Sequence, residues 1–591
     1  MILITKRQIK ANWELLLLLL LPILLLLVNQ VWIFSPNVTI DPWVYFGHFI
    51  RLKQYLIAFP EAYYGSRLSW ILPGYLAYSL FPPLVANYVL HLGFYYLATL
   101  SLYLILKPSV GRRAAFLTSA SMGCYAPFLR AIGWDYVDGA GIAYFLLIAL
   151  MLSWAARKQN WATWMALSGV FFGALIYTNL VWLALSPSLI TYYALTHHPH
   201  RRQKTFISVA ALIVGILAIT LLLGSVNYGM GGKFFFFMPS VNFALSSSGQ
   251  PNPWRIDWQQ WLPRATWLVL PLVVLVGSTA TLALSKFRKS FEQADALPFK
   301  AIFAVSCLSM IFLEAKSIAV LQLTYYASYL IPSMFLAIGA SLKSLATLSN
   351  GSFAPIVAFS LILIIFPLLA AYLSDDRLIF VSDDQLIIFC LLFLAAVFFS
   401  IASHLNQKKV GSILAILLLT VSTNIAFGQG WNANSIAKQL QANALTSKTS
   451  VDSYLTVSTV QKLFRDIDPT VGLLFWYSLK ELEVYRSIAS ANLWGYRFIS
   501  EEFPSLQEYR KDSSNAPSPL SPQRLSELKT RFTASSKIAI FSQQKDALQQ
   551  AINSLQPLGF IAKSTAVYPI KQDTIAFTIT IIEVSKLKDP L

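Results

Sequence analysis

The sequence predicts an α-helical polytopic membrane protein of about 13 transmembrane helices, followed by a mixed α/β soluble domain on the outer face. Three observations carry that expectation. Of the 591 residues, 56% are hydrophobic and only 12% are charged, whereas an ordinary soluble domain is about 25% charged. Apolar runs recur near the roughly twenty-residue length that a helix needs to cross a bilayer. After Phe427 the chain turns polar and no further spanning run follows. With a mean hydropathy of +0.58, this composition excludes a disordered chain, a small disulfide scaffold and a typical cytosolic enzyme.

The first element is the Leu-rich stretch at 13–34, preceded by Lys6, Arg7 and Lys10. The flank VNQVWIF offers no small-residue cleavage site, so the stretch reads as a retained helix with its N-terminus in the cytoplasm. Further apolar segments lie at 84–106, 114–129, 139–156, 161–177, 180–196, 205–226, 267–285, 301–314, 325–342, 352–373, 385–403 and 410–428. Segments on the cytoplasmic side then carry 18 Lys and Arg, against 9 on the other side up to residue 430. That bias supports the orientation. An odd number of spans puts residues 431–591 on the outer face. In that region KIAIFS (537–542) and TIAFTITIIEV (574–584) read as strands. QQKDALQQAINSLQPLGF has helical spacing. A linker-like patch lies at 511–524.

The net charge of +18 follows the same topology. Residues 1–430 hold 27 Lys and Arg against 13 Asp and Glu, and residues 431–591 hold 18 against 14. No clustered basic stripe with base-reading residues appears, so a nucleic-acid partner is not expected. Cys124, Cys307 and Cys390 are far apart, in or beside apolar runs, and read as small buried hydrophobes. The chain lacks a P-loop, GxSxG, HExxH and a GxGxxG following a strand. His197, His198 and His200 in THHPHRRQK sit among cytoplasmic basic residues and read as a solvated loop.

Ten of the 13 acids in the membrane part fall on the outer side. Acids do not set topology, so chemistry on that face is one cause to consider. Two outer loops are long, 35–83 and 227–266, and both mix aromatics with Arg and Lys. Such loops suit interfacial anchoring or the walls of a site at the membrane surface. Asp41, in NVTIDPWVYFGHF, stands just past the first span. A carboxylate there can take a proton from an attacking hydroxyl, or it can cap a helix as Asp-Pro. Asp135 and Asp138 follow in RAIGWDYVDGAG, beside Arg130. One of them can orient an acceptor or hold a cation. Alternatively Asp138 caps the next helix and Asp135 pairs with Arg130. As a hard-metal site the pair lacks further oxygen ligands. The sequence therefore names no cofactor, and a divalent metal is compatible with these acids without being required.

A lipid-phosphate leaving group needs fixed positive charge where its negative charge develops. Outer-side candidates are Arg67, Arg130, Lys233, Arg255, Arg264 and Lys316, with headgroup contact as the plainer reading of each. Tyr325, Tyr326 and Tyr329 open the tenth span. They suit phosphate or sugar contact and, equally, an aromatic belt.

The layout resembles the C-type membrane glycosyltransferases. The shared features are a cytoplasmic N-terminus, an Asp soon after the first span, an acid cluster between spans three and four, and an outer C-terminal domain. That superfamily includes the protein O-mannosyltransferases, the lipid A aminoarabinose transferase and the oligosaccharyltransferase catalytic subunits, and the chain looks most like bacterial relatives of the first two. TYYASYLIPSMFLAIGASL is similar to their tenth-span segment, although Ser328 precedes Tyr329 where a basic residue is usual. The first loop carries Asp41-Pro42 where mannosyltransferases usually carry Asp-Glu.

The resemblance implies a polyprenyl-phosphate sugar donor and a glycan, lipid or protein acceptor. It implies Asp41 as general base or acceptor-orienting group, Asp138 or else Asp135 as second acid, and Arg67 at the donor phosphate. The expected localisation is a bacterial inner or plasma membrane. Two rival readings are a transporter or flippase of a lipid-linked glycan and a non-catalytic subunit of an envelope assembly. The first predicts ionisable residues near the midplane of the spans, and the assigned spans contain almost none.

Overall fold

A computed structural model of the chain describes residues 6–35, 41–197, 202–247, 266–287, 293–321, 323–349, 436–463, 473–477, 537–542 and 559–586, with isolated positions between 487 and 556. Helix α1 (Lys6–Val28) leads to a 3-10 turn at Val31–Ile33. The first long loop folds into α2 (Asp41–Ala58), a 3-10 turn at Tyr63–Ser66 and α3 (Leu68–Leu80). Then come α4 (Pro83–Val110), α5 (Arg112–Gly123), α6 (Ala126–Gly133), α7 (Asp138–Arg157), α8 (Trp161–Ile176), α9 (Ser186–Thr196) and α10 (Arg202–Gly229). The second long loop contributes α11 (Met238–Ser247). The described membrane part closes with α12 (Val269–Phe287), α13 (Gln293–Ala315) and α14 (Ala327–Ser349).

Among the described residues, 4 helices are long and apolar enough to cross a membrane: Pro83–Val110, Asp138–Arg157, Thr205–Gly229 and Ala296–Ala315. Shorter apolar helices lie at Trp13–Leu27, Trp161–Ile176, Leu180–Thr196 and Leu270–Leu282. The expected spans at 352–373, 385–403 and 410–428 lie outside the described residues. Two expected single spans are broken. The segment 114–129 divides into α5 and α6 because Pro127 has no N–H for the Gly123 carbonyl. The segment 180–196 begins as a 3-10 turn, and α9 starts only at Ser186, with Pro187 in its first turn.

The core gathers around α7, which packs against α4, α8 and α14. In its membrane window 83% of the residues are buried, against 17% for α10. An apolar helix that exposes most of its surface suits contact with lipid rather than water. Lys300, expected in a cytoplasmic loop, is instead buried inside α13, which begins at Gln293. Its ammonium donates to the Thr281 and Ser344 hydroxyls at 2.7 and 3.1 Å, partners that make burial of the charge tolerable.

The C-terminal region holds α15 (Ile436–Leu463) and a sheet of β1 (Leu473–Tyr477), β2 (Lys537–Ser542), β3 (Phe560–Gln572) and β4 (Ile575–Lys586). The strand order is β1-β2-β4-β3. β1 and β2 are parallel and the other pairs antiparallel. Asp452 of α15 accepts from the Thr574 N–H and hydroxyl in the β3–β4 turn, fastening helix to sheet.

This region rests on the first long loop. The Tyr454 ring packs against Phe34, Trp43 and Phe46 at 5.1–6.4 Å, and its hydroxyl donates to the Pro83 carbonyl. The Tyr55 hydroxyl donates to the Ala491 carbonyl at 2.9 Å. Gly47 admits that approach, since a Cβ there would stand 2.5 Å from the same oxygen. Helix α2 kinks at Arg51 (φ −136°, ψ 33°), whose guanidinium donates to the Gln461 carbonyl of α15.

Candidate functional site

Asp41 is the first residue of α2, where the positive end of the helix dipole favours a carboxylate. Its Oδ1 accepts from the Tyr64 hydroxyl at 2.6 Å. Burial and the Asp41 charge both push the Tyr64 phenol up, so it stays protonated and donates. Tyr64 belongs to the 3-10 turn before α3, and Arg67 follows that turn directly.

Arg67 is half-buried in a cage of tyrosines. Its guanidinium carbon lies 5.1 Å from the centre of the Tyr63 ring, 5.8 Å from Tyr45 and 5.9 Å from Tyr136. Cation–π contact of this kind steadies an arginine without neutralising it. The guanidinium donates to the Tyr45 hydroxyl, and Tyr136 lies within hydrogen-bond reach. Burial raises the Tyr45 and Tyr136 phenols, with Arg67 pulling the other way. Both therefore meet the cation as neutral hydroxyls. Among the described residues no carboxylate forms an ion pair with Arg67.

Asp138 is the first residue of α7 and is 4% exposed. Gly139 brings the start of α7 against α6, since a Cβ there would stand 2.6 Å from the Ala131 carbonyl oxygen. The Asp138 side chain makes no capping bond to its helix. It lies near the Ser328 hydroxyl at the start of α14 and within the field of Arg67. Ser328 already donates to the Tyr325 carbonyl at 2.6 Å, and one hydroxyl has one proton. Asp138 Oδ1 has no hydrogen-bond partner among the described residues. Tyr136, whose ring centre is 5.9 Å from the Arg67 guanidinium carbon, stands two residues before Asp138, and the charges of Asp41 and Asp138 reach its hydroxyl as well. Tyr329 lies within the field of both Asp138 and Arg67 and accepts from Asn179 at 2.9 Å.

Asp135 goes elsewhere. It is fully buried, accepting from the Ser35 hydroxyl at 3.0 Å and facing His91 Nε2 at 3.2 Å. Its own N–H donates to Ser35 Oγ. Two carboxylates three residues apart thus serve different neighbours, because the chain bends between them before α7 begins. Asp135 is a fastener between α4, the segment after α1 and the α6–α7 connection.

The remaining candidates are scattered. Arg130 lays its guanidinium 5.3 Å from the Trp134 ring. Lys233 pairs with Glu61 at the exposed rim of the two long loops. Tyr325 is 38% exposed, and Tyr326 packs on it and on Tyr329. Arg255 and Arg264 lie outside the described residues. No group of three or more His, Cys, Asp or Glu that could hold a metal occurs among the described residues. Sequence reasoning passed over Tyr45, Tyr63, Tyr64 and Tyr136. Their signal was adjacency: Tyr63 and Tyr64 run up to Arg67, and Tyr136 stands between the two aspartates.

No family model and no curated protein matches the chain. Solved structures do. ArnT from Cupriavidus metallidurans in the apo state superposes with a TM-score of 0.53 at 12% identity, over 97% of this chain and 98% of that one. ArnT from the same organism bound to undecaprenyl phosphate gives 0.51 at 11% identity, over 98% and 100%. The oligosaccharyltransferase AglB from Archaeoglobus fulgidus, in complex with an inhibitory peptide and a dolichol-phosphate, gives 0.41 at 11% identity, over 97% and 74%. At these identities the likeness to ArnT, a lipid A aminoarabinose transferase, is one of fold. The chain shares the overall fold of ArnT.

Proposed function

We propose that this chain is an integral-membrane glycosyltransferase that moves a sugar from a polyprenyl-phosphate donor to an acceptor on the extracytoplasmic face. The observation that carries the reading is the chain of contacts in which Tyr64 bonds Asp41, Arg67 follows three residues later, and Tyr136, two residues before Asp138, lies against Arg67. It is supported by a fold shared with a transferase solved with undecaprenyl phosphate.

In this mechanism the acceptor hydroxyl oxygen attacks the anomeric carbon while its proton passes to Asp41. The bond from that carbon to the phosphate oxygen breaks, and its electron pair leaves with the polyprenyl phosphate. Attack and departure take opposite faces, so the anomeric configuration inverts. Arg67 binds the departing phosphate, where a half-buried cation with only neutral partners is worth most. Asp138, whose Oδ1 has no partner among the described residues, accepts from a hydroxyl of the transferred sugar or of the acceptor. Residues 1–430 form the catalytic membrane domain in about 13 spans, and residues 431–591 an extracytoplasmic domain above it.

The test is transfer from a radiolabelled polyprenyl-phosphate sugar in proteoliposomes. Asp41→Asn is expected to lower the rate by on the order of 10²–10⁴-fold. Full activity in that variant removes Asp41 from the reaction. Absence of undecaprenyl phosphate binding by the full chain overturns the donor assignment.

A further inference from the structure

We propose that the cavity between the first and second long loops is the acceptor subsite and takes an unphosphorylated sugar unit of a glycan. The inference rests on the transferase reading and names its acceptor.

The cavity measures about 450 Å³ and is formed where α11 leans on the turn Tyr63–Ser66. Its size falls in the roughly 300–1,000 Å³ range of small-ligand sites. Two contacts build it. Tyr63 stacks on Phe243 with centroids 4.7 Å apart and planes 15° from parallel. Ser66 and Ser240 meet through their hydroxyls. The cavity adjoins the reacting groups: Tyr64 lines it and donates to Asp41, and Tyr63 lines it and covers Arg67.

The lining tells which ligand fits. It combines aromatic surface, chiefly from Phe243, which is 52% exposed, with short polar groups, from Glu61, Asn242 and Ser246. Aromatic faces hold the apolar C–H faces of a sugar ring, and amide and carboxylate groups bind its hydroxyls. Asn242 spends its amide on no hydrogen bond among the described residues, and Ser246 donates only to the Phe243 carbonyl.

Among the described lining residues, charge disfavours an anionic ligand. Among the described residues the only charged lining residue is Glu61, and the nearby Lys233 pairs with it. The cage cation Arg67 lies behind Tyr63 in the donor part of the site. Among the described residues a phosphorylated acceptor would therefore find a carboxylate and no unpaired lining cation, whereas a neutral polyol meets hydrogen-bond acceptors and the Asn242 amide.

The experiment uses the full chain in nanodiscs. Binding is measured to undecaprenyl phosphate, to a panel of unphosphorylated oligosaccharides, to the same sugars carrying phosphate, and to Ser/Thr peptides. The expected result is binding of at least one unphosphorylated oligosaccharide in preference to its phosphorylated form. Asn242→Trp, an exposed position that fills the cavity, weakens that binding tenfold or more and leaves undecaprenyl phosphate binding within twofold. Ser246→Phe acts in the same way. The inference is overturned if no unphosphorylated sugar binds a chain that binds undecaprenyl phosphate. Preference for phosphorylated sugars or for peptides, or oligosaccharide binding unaffected by either variant, also overturns it. Failure of undecaprenyl phosphate binding alone strikes the donor reading, while the oligosaccharide measurement still decides the cavity.

Discussion

The Tyr64 hydroxyl and the Asp41 carboxylate, 23 residues apart in sequence, form a 2.6 Å hydrogen bond that joins the start of α2 to the turn before α3. That bond fixes the direction of a carboxylate which would otherwise swing at the end of its helix. It also ties Asp41 to the short turn that leads into Arg67, since only Gly65 and Ser66 separate Tyr64 from Arg67.

Tyr64→Phe keeps the ring and removes the donor. A hydrogen bond to a charged group contributes about 1.5–3 kcal/mol. Initial transfer rates are expected to fall roughly tenfold to a hundredfold, with the melting temperature little changed. A wild-type rate removes Tyr64 from the site.

Arg67→Lys keeps the charge and loses the planar fork and its stacking on three tyrosines. The two cations are not interchangeable at such a site. Undecaprenyl phosphate affinity is expected to drop by about tenfold or more in the lysine variant and further in Arg67→Gln. Equal affinity in all three proteins would show that the lipid phosphate binds elsewhere.

Asp135→Asn and Asp138→Asn separate fastening from chemistry. Breaking the buried Asp135–His91 contact costs about 3–5 kcal/mol, so the first variant melts at a lower temperature. Replacing Asp138, whose Oδ1 is buried without a partner among the described residues, removes an expensive charge. The second variant is expected to melt at or above the wild-type temperature while losing activity. Thermal melts in detergent, read beside transfer rates per folded molecule, check both. A destabilised Asp138→Asn would contradict the account.

Tyr454→Ala empties the contact between α15 and the first long loop. Loss of a large buried aromatic costs about 3–5 kcal/mol. Tyr454→Phe retains the packing against Phe34, Trp43 and Phe46 and gives up only the 3.3 Å bond to Pro83. The expected order of stability is wild type, then Phe close behind, then Ala well below. Because α2 carries Asp41, the Ala variant also loses transfer activity.

His48 supplies an acid-sensitive element of stability. It is 1% exposed within α2, and burial lowers its imidazole to about 4, against the opposing pull of the Val44 carbonyl. In the unfolded chain an imidazole titrates near 6.5. Between those values the unfolded chain takes up a proton that the folded one refuses, so stability falls as pH drops from about 6.5 towards 4. The total is about 3 kcal/mol. His48→Gln is expected to flatten that part of the pH–stability curve measured by thermal melts. An unchanged slope would place the acid sensitivity in other groups.

Much of the architecture was legible because apolarity and strand alternation are local properties. The runs at 84–106 and 139–156 match α4 and α7, and KIAIFS coincides with β2. Strands β1 and β3 went unread. LLFWY has no alternation, and FIAKSTAVYPIKQ mixes polar and apolar residues along a mostly exposed edge. Breaks inside apolar segments, at Pro127 and Pro187, were present in the sequence as prolines but hidden by the hydropathy around them.

The site divides in the same way. The sequence by itself determined which residue types stand near the ends of the apolar segments, and so offered Asp41, Arg67, Asp135 and Asp138 together. Only the tertiary structure decided that Asp135 turns to Ser35 and His91 while Asp138 lies within the field of Arg67. The tyrosine cage likewise exists only once α2, the Tyr63–Ser66 turn and the α6–α7 connection are packed together. Burial preference is a property of one residue, whereas a hydrogen-bond partner is chosen by whatever distant segment packing brings within about 3 Å.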